Sequence, residues 1–263
     1  MTDPTQLDHA HAQMEADGAN DTARLRYYER LSDSELFLLL TEEAQGDQLS
    51  PEVFDLGDAA FVLVFDREER LGQFVGKPAP YSAISGRALA QMLAGQGVGL
   101  GVNLEVAPSQ MLIPPEAVTW LAETLGHAPQ EMEAQAEQFL PPAGIPEALL
   151  PALDTKLAMA GGLAKGAYLA GVRYKGGAQG HMLGFVGAAP GAETALAKAV
   201  SEALTFSGLE AGSLDVSFFE LSNPAAAALA KVGLRFDLPE AAAPKQTARP
   251  APGSDPDNPP KLR

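Results

Sequence analysis

The chain has 263 residues, 46% of them hydrophobic and 20% charged. That is enough for two ordinary domains with cores of their own and excludes a disordered chain. It contains no cysteine, which excludes disulfides, thiol catalysis and thiolate metal sites. The net charge of −16 is carried by the N-terminal part: residues 1–144 hold 23 acidic and 7 basic side chains, residues 145–238 hold 8 and 7, and residues 239–263 hold 3 and 4. A surface of that sign repels nucleic-acid phosphates and anionic lipid, so neither is an expected partner. Cationic or neutral proteins suit it better, and solubility alone would also account for it.

In chain order, residues 1–20 are polar and are expected to form a disordered arm. A helix is expected from Asp21 to about Leu31, a strand over Glu35–Leu40, and two more at Phe54-Asp55-Leu56 and Ala59–Phe65, separated by the turn residues Gly57-Asp58. Ala59–Phe65 is the longest wholly apolar run, seven residues. It is too short to cross a bilayer and suits the centre of a sheet covered on both faces. Asp66 is read as the cap of a helix running through Phe74, and Ser85 as the cap of another in which Leu89, Met92 and Leu93 share one face and which ends at Gly95. Val98–Leu104 and Met111–Ile113 read as strands. Pro114-Pro115 then starts a helix that buries Val118, Leu121 and Leu125 and stops at Gly126.

Residues 127–145 read as a polar, proline-containing linker. A helix over Glu147–Ala160 follows. Ala167–Tyr174 alternates in polarity and turns through Lys175-Gly176-Gly177 into His181–Gly187, which predicts a hairpin. Gly191–Phe206 is helical by period, Leu214, Val216 and Phe218 alternate on a strand, Asn223-Pro224 opens an alanine-rich helix, and Leu234–Leu238 alternates once more. The expected class is α/β and α+β: two mixed helix/sheet domains, 21–126 and 146–238, the second with its sheet covered mainly on one face. The proline-rich stretch 239–263 is expected to be a disordered tail.

The run from Ser85 to Leu125, taken with Ser34-Glu35-Leu36-Phe37-Leu38-Leu39-Leu40 and the Val62–Arg70 strand-to-helix junction, resembles the N-terminal domain of the SseB family, the enhanced-serine-sensitivity type. Pro146–Leu238 is similar to the family's C-terminal domain through His181-Met182-Leu183-Gly184-Phe185-Val186 and Leu214-Asp215-Val216-Ser217-Phe218-Phe219. The resemblance implies a cytoplasmic bacterial protein with no established activity, cofactor or catalytic residue, so it transfers nothing to single positions beyond the scaffold. The opening Met1-Thr2-Asp3-Pro4, without the basic and apolar regions of an export signal, carries the same expectation of a cytoplasmic protein.

Candidate chemistry is sparse. Gly95-Gln96-Gly97-Val98-Gly99-Leu100-Gly101 follows a helix and leads into a strand, the reverse of the order in which glycines cradle phosphate, so a scaffold role is expected. His9, His11, His127 and His181 show no metal-ligand spacing. No serine sits in a nucleophile elbow. Asp66, Glu68, Glu69 and Arg70 stand where helix dipole and i,i+4 pairing would place them. No catalytic, metal or cofactor site is therefore expected. The residues with a binding role to offer are Asp66, Arg70, Arg87, Asn103 and Glu105, expected on one rim at the ends of the two apolar strands, and Trp120, the sole tryptophan, which falls off its helix's buried stripe. The expected function is a non-enzymatic adaptor with a protein partner, with self-association left open. The alternatives are a sensor or enzyme of amino-acid metabolism gripping a carboxylate with Arg87 beside Asn103, and an acidic chaperone or secretion accessory.

Overall fold

The computed structural model describes residues 3–18, 20–46, 48–56, 59–127, 136–209 and 214–239. The first of these segments is no loose arm. Thr5 and Asp8 form a reciprocal capping box at the start of α1 (Gln6–Ala16), where Leu7, Ala10 and Met14 recur on one face and are buried. Two donors satisfied at the helix start and an apolar stripe at helical spacing outweigh the polar composition that argues for disorder. α1 packs on α2 (Asp21–Asp33), whose cap is Asn20.

The first sheet contains β1 (Glu35–Leu39), β2 (Val53–Leu56), β3 (Ala59–Phe65), β4 (Tyr81–Ser85), β5 (Val98–Val102) and β6 (Met111–Ile113). Its order is β4-β1-β3-β5-β6, with β2 also on β3. The apolar run thus lies at the centre. β3 and β5 are parallel, from Ala60 opposite Val98 to Val64 opposite Val102, and the other pairings are antiparallel. Leu36, Leu38, Val62, Val64, Leu100 and Val102 pack on one face beneath α1, α2, α4 (Gly86–Leu93) and α5 (Pro115–Gly126). Leu39, Leu63 and Phe65 face the other way, against Leu71 and Phe74 of α3 (Glu68–Val75). The edge strand β4 carries no strand signal in the sequence reading; it pairs with β1 along its whole length.

The glycine run belongs to this scaffold. Gly95 and Gly97 hold φ near +70° in the turn between α4 and β5, a region that side chains disfavour. A Cβ at Gly99 would lie 2.4 Å from the Ile113 carbonyl oxygen.

The second half is built from β7 (Ala136–Leu140), α6 (Leu149–Ala158), β8 (Gly166–Tyr174), β9 (Gln179–Val186), α7 (Glu193–Thr205), β10 (Asp215–Phe219), α8 (Pro224–Val232) and β11 (Leu234–Phe236). Its sheet runs β10-β9-β8-β11, with β7 also on β8. The predicted hairpin is β8 with β9, in register from Gly166 opposite Val186 to Arg173 opposite Gln179. Two readings change. The expected linker contributes β7, because backbone donors beside the open edge of β8 are satisfied by pairing, Phe139 opposite Val172 and Leu140 opposite Gly171. The sheet is also covered on both faces. Leu169, Leu183 and Phe185 pack with α6 and α7, while Leu229 of α8 lies so close to Gly184 that a Cβ there would sit 2.2 Å from it. The Gly57-Asp58 turn, residues 128–135 of the linker and residues 240–263 of the tail lie outside the described residues.

The halves share more than a chain. Phe206, which caps α7, is fully buried within the core of the first half. Its ring meets Trp120 of α5 edge to face at 6.5 Å. Arg26 of α2 donates to the Ala148 carbonyl at the start of α6 at 2.8 Å. Replacing Phe206 by alanine should cost about 3–5 kcal/mol, read as a lowered urea midpoint in a single transition; two separate transitions, with the first half unaffected, would show independent halves.

Candidate functional site

Where β3 and β5 end side by side, parallel strands would ordinarily leave a crevice of the kind that collects ligands. Asp66 follows β3 and Asn103 follows β5, so two of the expected rim residues meet here, and Arg70 reaches in from α3. Asp66 does not cap that helix. Arg67 holds the cap position without a side-chain bond, because the Asp66 carboxylate is taken by Arg70 at 2.8 Å and by the Thr5 hydroxyl at 2.6 Å. Asn103 sits fully buried with φ of +48°. It accepts from the Asp66 amide at 3.1 Å and donates to the Ser109 hydroxyl at 3.0 Å. Glu105, at φ +61°, shapes the same loop and is exposed; its amide donates to Gln110.

The centre of this network lies in α1, within the segment whose polar composition predicts a disordered arm. Asp8 of α1 receives both forks of Arg70, at 3.1 Å and 2.5 Å, and the hydroxyl of the fully buried Ser109. Burial by itself would raise the Asp8 carboxyl; the hydrogen bonds from Arg70, Ser109 and the Thr5 amide overcome it and hold the group well below the usual carboxylate range. The crevice is thus filled from within by α1. The signal that would have found it is Thr5-x-x-Asp8 together with the stripe of Leu7, Ala10 and Met14. Because the folded pKa is depressed, Asp8 contributes its full stability above the ordinary carboxylate range and loses it progressively as the pH falls below that range toward its folded value. Asp8→Asn should therefore lower the melting temperature at pH 7 and flatten its decline in acid; an acid profile identical to wild type would remove Asp8 from this role.

Arg87 is not part of that rim. It extends from α4 to the second half and grips Glu202 of α7 with two forks, at 2.6 Å and 2.9 Å, with Asp33 at 3.2 Å. Beside it Lys156 of α6, 3% exposed, stands 2.6 Å from Asp33, 3.2 Å from Glu202 and 3.6 Å from Glu29. Burial raises the Glu202 carboxyl less than Arg87 and Lys156 lower it, so it lies below its ordinary value. Glu29 behaves oppositely. Fully buried, its two oxygens accept no hydrogen bond among the described residues, and burial outweighs Lys156 and Arg26 to push its carboxyl up. A raised carboxyl loses stability as the pH rises through its folded value. Glu29→Gln should therefore gain stability relative to wild type as the pH rises above the ordinary carboxylate range; a difference in melting temperature that does not change with pH would contradict this. Sequence periodicity offered no hint of this group, since Lys156 reaches Glu29, Asp33 and Glu202 on other helices.

Trp120 is 38% exposed. Its ring packs edge to face with Tyr28 at 5.6 Å and with Phe206, and it lines a shallow groove with Gly95, Gly97, Pro115, Thr119, Glu116 and Glu123. Among the described residues no three metal-ligating side chains converge, and no helix is long and apolar enough to cross a membrane.

Fold and site together define a two-sheet α/β protein whose strand-end crevice is closed by its own first helix. Residues 7–120 match the family model described as SseB protein N-terminal domain, and the chain carries an SseB N-terminal domain over that span. The match begins inside α1, so the helix that fills the crevice is part of the domain. No curated protein and no solved structure matches the chain.

Proposed function

We propose that the protein is a cytoplasmic, non-enzymatic binding protein of SseB type that docks a cationic segment of a partner protein in the groove at Trp120. The observation that carries this reading is a half-exposed indole packed edge to face against Tyr28 and Phe206, with Glu116 and Glu123 beside it, in the part of the chain that carries 23 acidic side chains. A lysine or arginine over the indole face would gain a cation–π contact of about 0.5–2 kcal/mol and a carboxylate on its flank. A rigid aromatic in a small groove is also the kind of residue that dominates protein interfaces. The polar residues of the strand ends support the same reading: Asp8, Asp66, Arg70, Asn103 and Ser109 hold one another. The sensor alternative loses its anchor, since Arg87 is already engaged by Glu202 and Asp33. The resemblance of residues 146–238 to the family's C-terminal domain supports a second docking or self-association surface there.

Because Trp120 is the only tryptophan, its emission reports the groove directly. Titration with a panel of short lysine- and arginine-containing peptides should change that emission saturably, and Glu116→Lys/Glu123→Lys should weaken the response at least tenfold. An unresponsive tryptophan across the panel, or an equal response to acidic control peptides, would overturn the proposal.

A further inference from the structure

A second concavity, of about 380 Å³, lies between the halves. α1 supplies Gln6, His9 and Gln13 to its wall, α2 supplies Arg26 and Arg30, and α6 supplies Thr155. Its charge runs against the rest of the molecule. In a chain with 34 acidic residues, none of the side chains lining this cleft is acidic.

Arg30 is the informative residue. Each of the other described arginines has a hydrogen bond or ion pair: Arg24 with Asp21, Arg26 with Glu29 and Ala148, Arg67 with Asp3, Arg70 with Asp8, Arg87 with Glu202, Arg173 with Glu137 and Arg235 with Asp237. The Arg30 side chain alone among them has neither a hydrogen bond nor an ion pair, although its charge helps to lower the buried Glu29 carboxyl. Its neighbour one turn earlier on the helix is Arg26, and like charges at that spacing repel. A half-buried guanidinium left without a carboxylate, in a protein with carboxylates to spare, presents its fork of donors to whatever enters the cleft.

We infer that this cleft binds a small oxyanion, with Arg30 gripping it bidentately and Arg26, His9, Gln13 and Thr155 around it. Phosphate and carboxylate groups share the planar pair of acceptor oxygens that a guanidinium fork fits. The volume accommodates such a group together with a small substituent, and junctions between structural units are where ligand sites concentrate. The site is separate from the Trp120 groove and does not depend on it. Since its walls come from both halves, an anion held there would strengthen their union by mass action.

The test uses the full chain. Inorganic phosphate and succinate are titrated separately at constant ionic strength against chloride, following thermal unfolding and heat of binding. One or both should raise the melting temperature saturably beyond chloride; a response to phosphate alone assigns a phosphate-bearing ligand, and to succinate alone a carboxylate. Arg30→Ala should lose tenfold or more in affinity while its ligand-free melting temperature stays at the wild-type value, and Arg30→Lys, which keeps the charge and loses the fork, should fall between. The inference is overturned if neither anion exceeds chloride, or if both variants bind as tightly as wild type.

Discussion

The structure depends on one buried cation. Lys156 stands among Glu29, Asp33 and Glu202 with almost no access to solvent, and Arg87 closes the same group from the rim. Removing such charges from water costs several kcal/mol per ion, and their attraction repays this only where geometry is good and all partners are present. Both halves supply members: Asp33, Glu29 and Arg87 from the first, Lys156 and Glu202 from the second. Phe206 lies beneath, its ring 6.0 Å from the Lys156 ammonium and its surface inside the first core. Apolar burial draws the halves together without fixing their angle. The charge group supplies the direction, because any other docking would strand a carboxylate or an ammonium away from water.

That union determines which surfaces remain for recognition. The Trp120 indole packs against Phe206, a residue of the other half, so the groove has this part of its aromatic support only in the joined molecule. The cationic cleft likewise needs α6 to stand opposite α1 and α2. The strand-end crevice, where an α/β protein ordinarily receives a ligand, is meanwhile occupied by Asp8 and sealed by Arg70 and Ser109. Its strained loop, with Asn103 and Glu105 in the left-handed region, costs about 1–3 kcal/mol per residue so held. The network around Asn103 offsets that cost: its amide, its side-chain oxygen and its side-chain nitrogen are all bonded. This is a lock made from residues that resemble a binding site.

Site residues differed in how readable they were. Trp120 could be singled out from the sequence because helical period places it off the stripe of Val118, Leu121 and Leu125, and local period is a local property. Asp66, Arg70 and Asn103 were legible as neighbours, since each follows or adjoins one of two apolar strands that had to lie side by side. Arg87 was not, because which way a helix residue points among distant elements depends on what lands on that helix. Asp8 was hidden behind the polarity of the first twenty residues, although its capping box was present in the sequence.

Composition and period by themselves determined that this chain makes two mixed sheets with an apolar strand at the centre of the first, that β8 and β9 form a hairpin, and that the glycine run serves packing. These follow from the spacing of apolar side chains and from backbone conformations that glycine alone adopts cheaply, which act over a few residues. Only the tertiary structure decided that α1 plugs the first sheet, that β7 joins the second, that α8 covers its far face, and that Arg87, Lys156 and Phe206 join the halves. Those outcomes are contacts between residues far apart in the chain, from 31 positions for Leu140 with Gly171 to 123 for Lys156 with Asp33. Charge and shape select such pairs only once folding has brought them within reach.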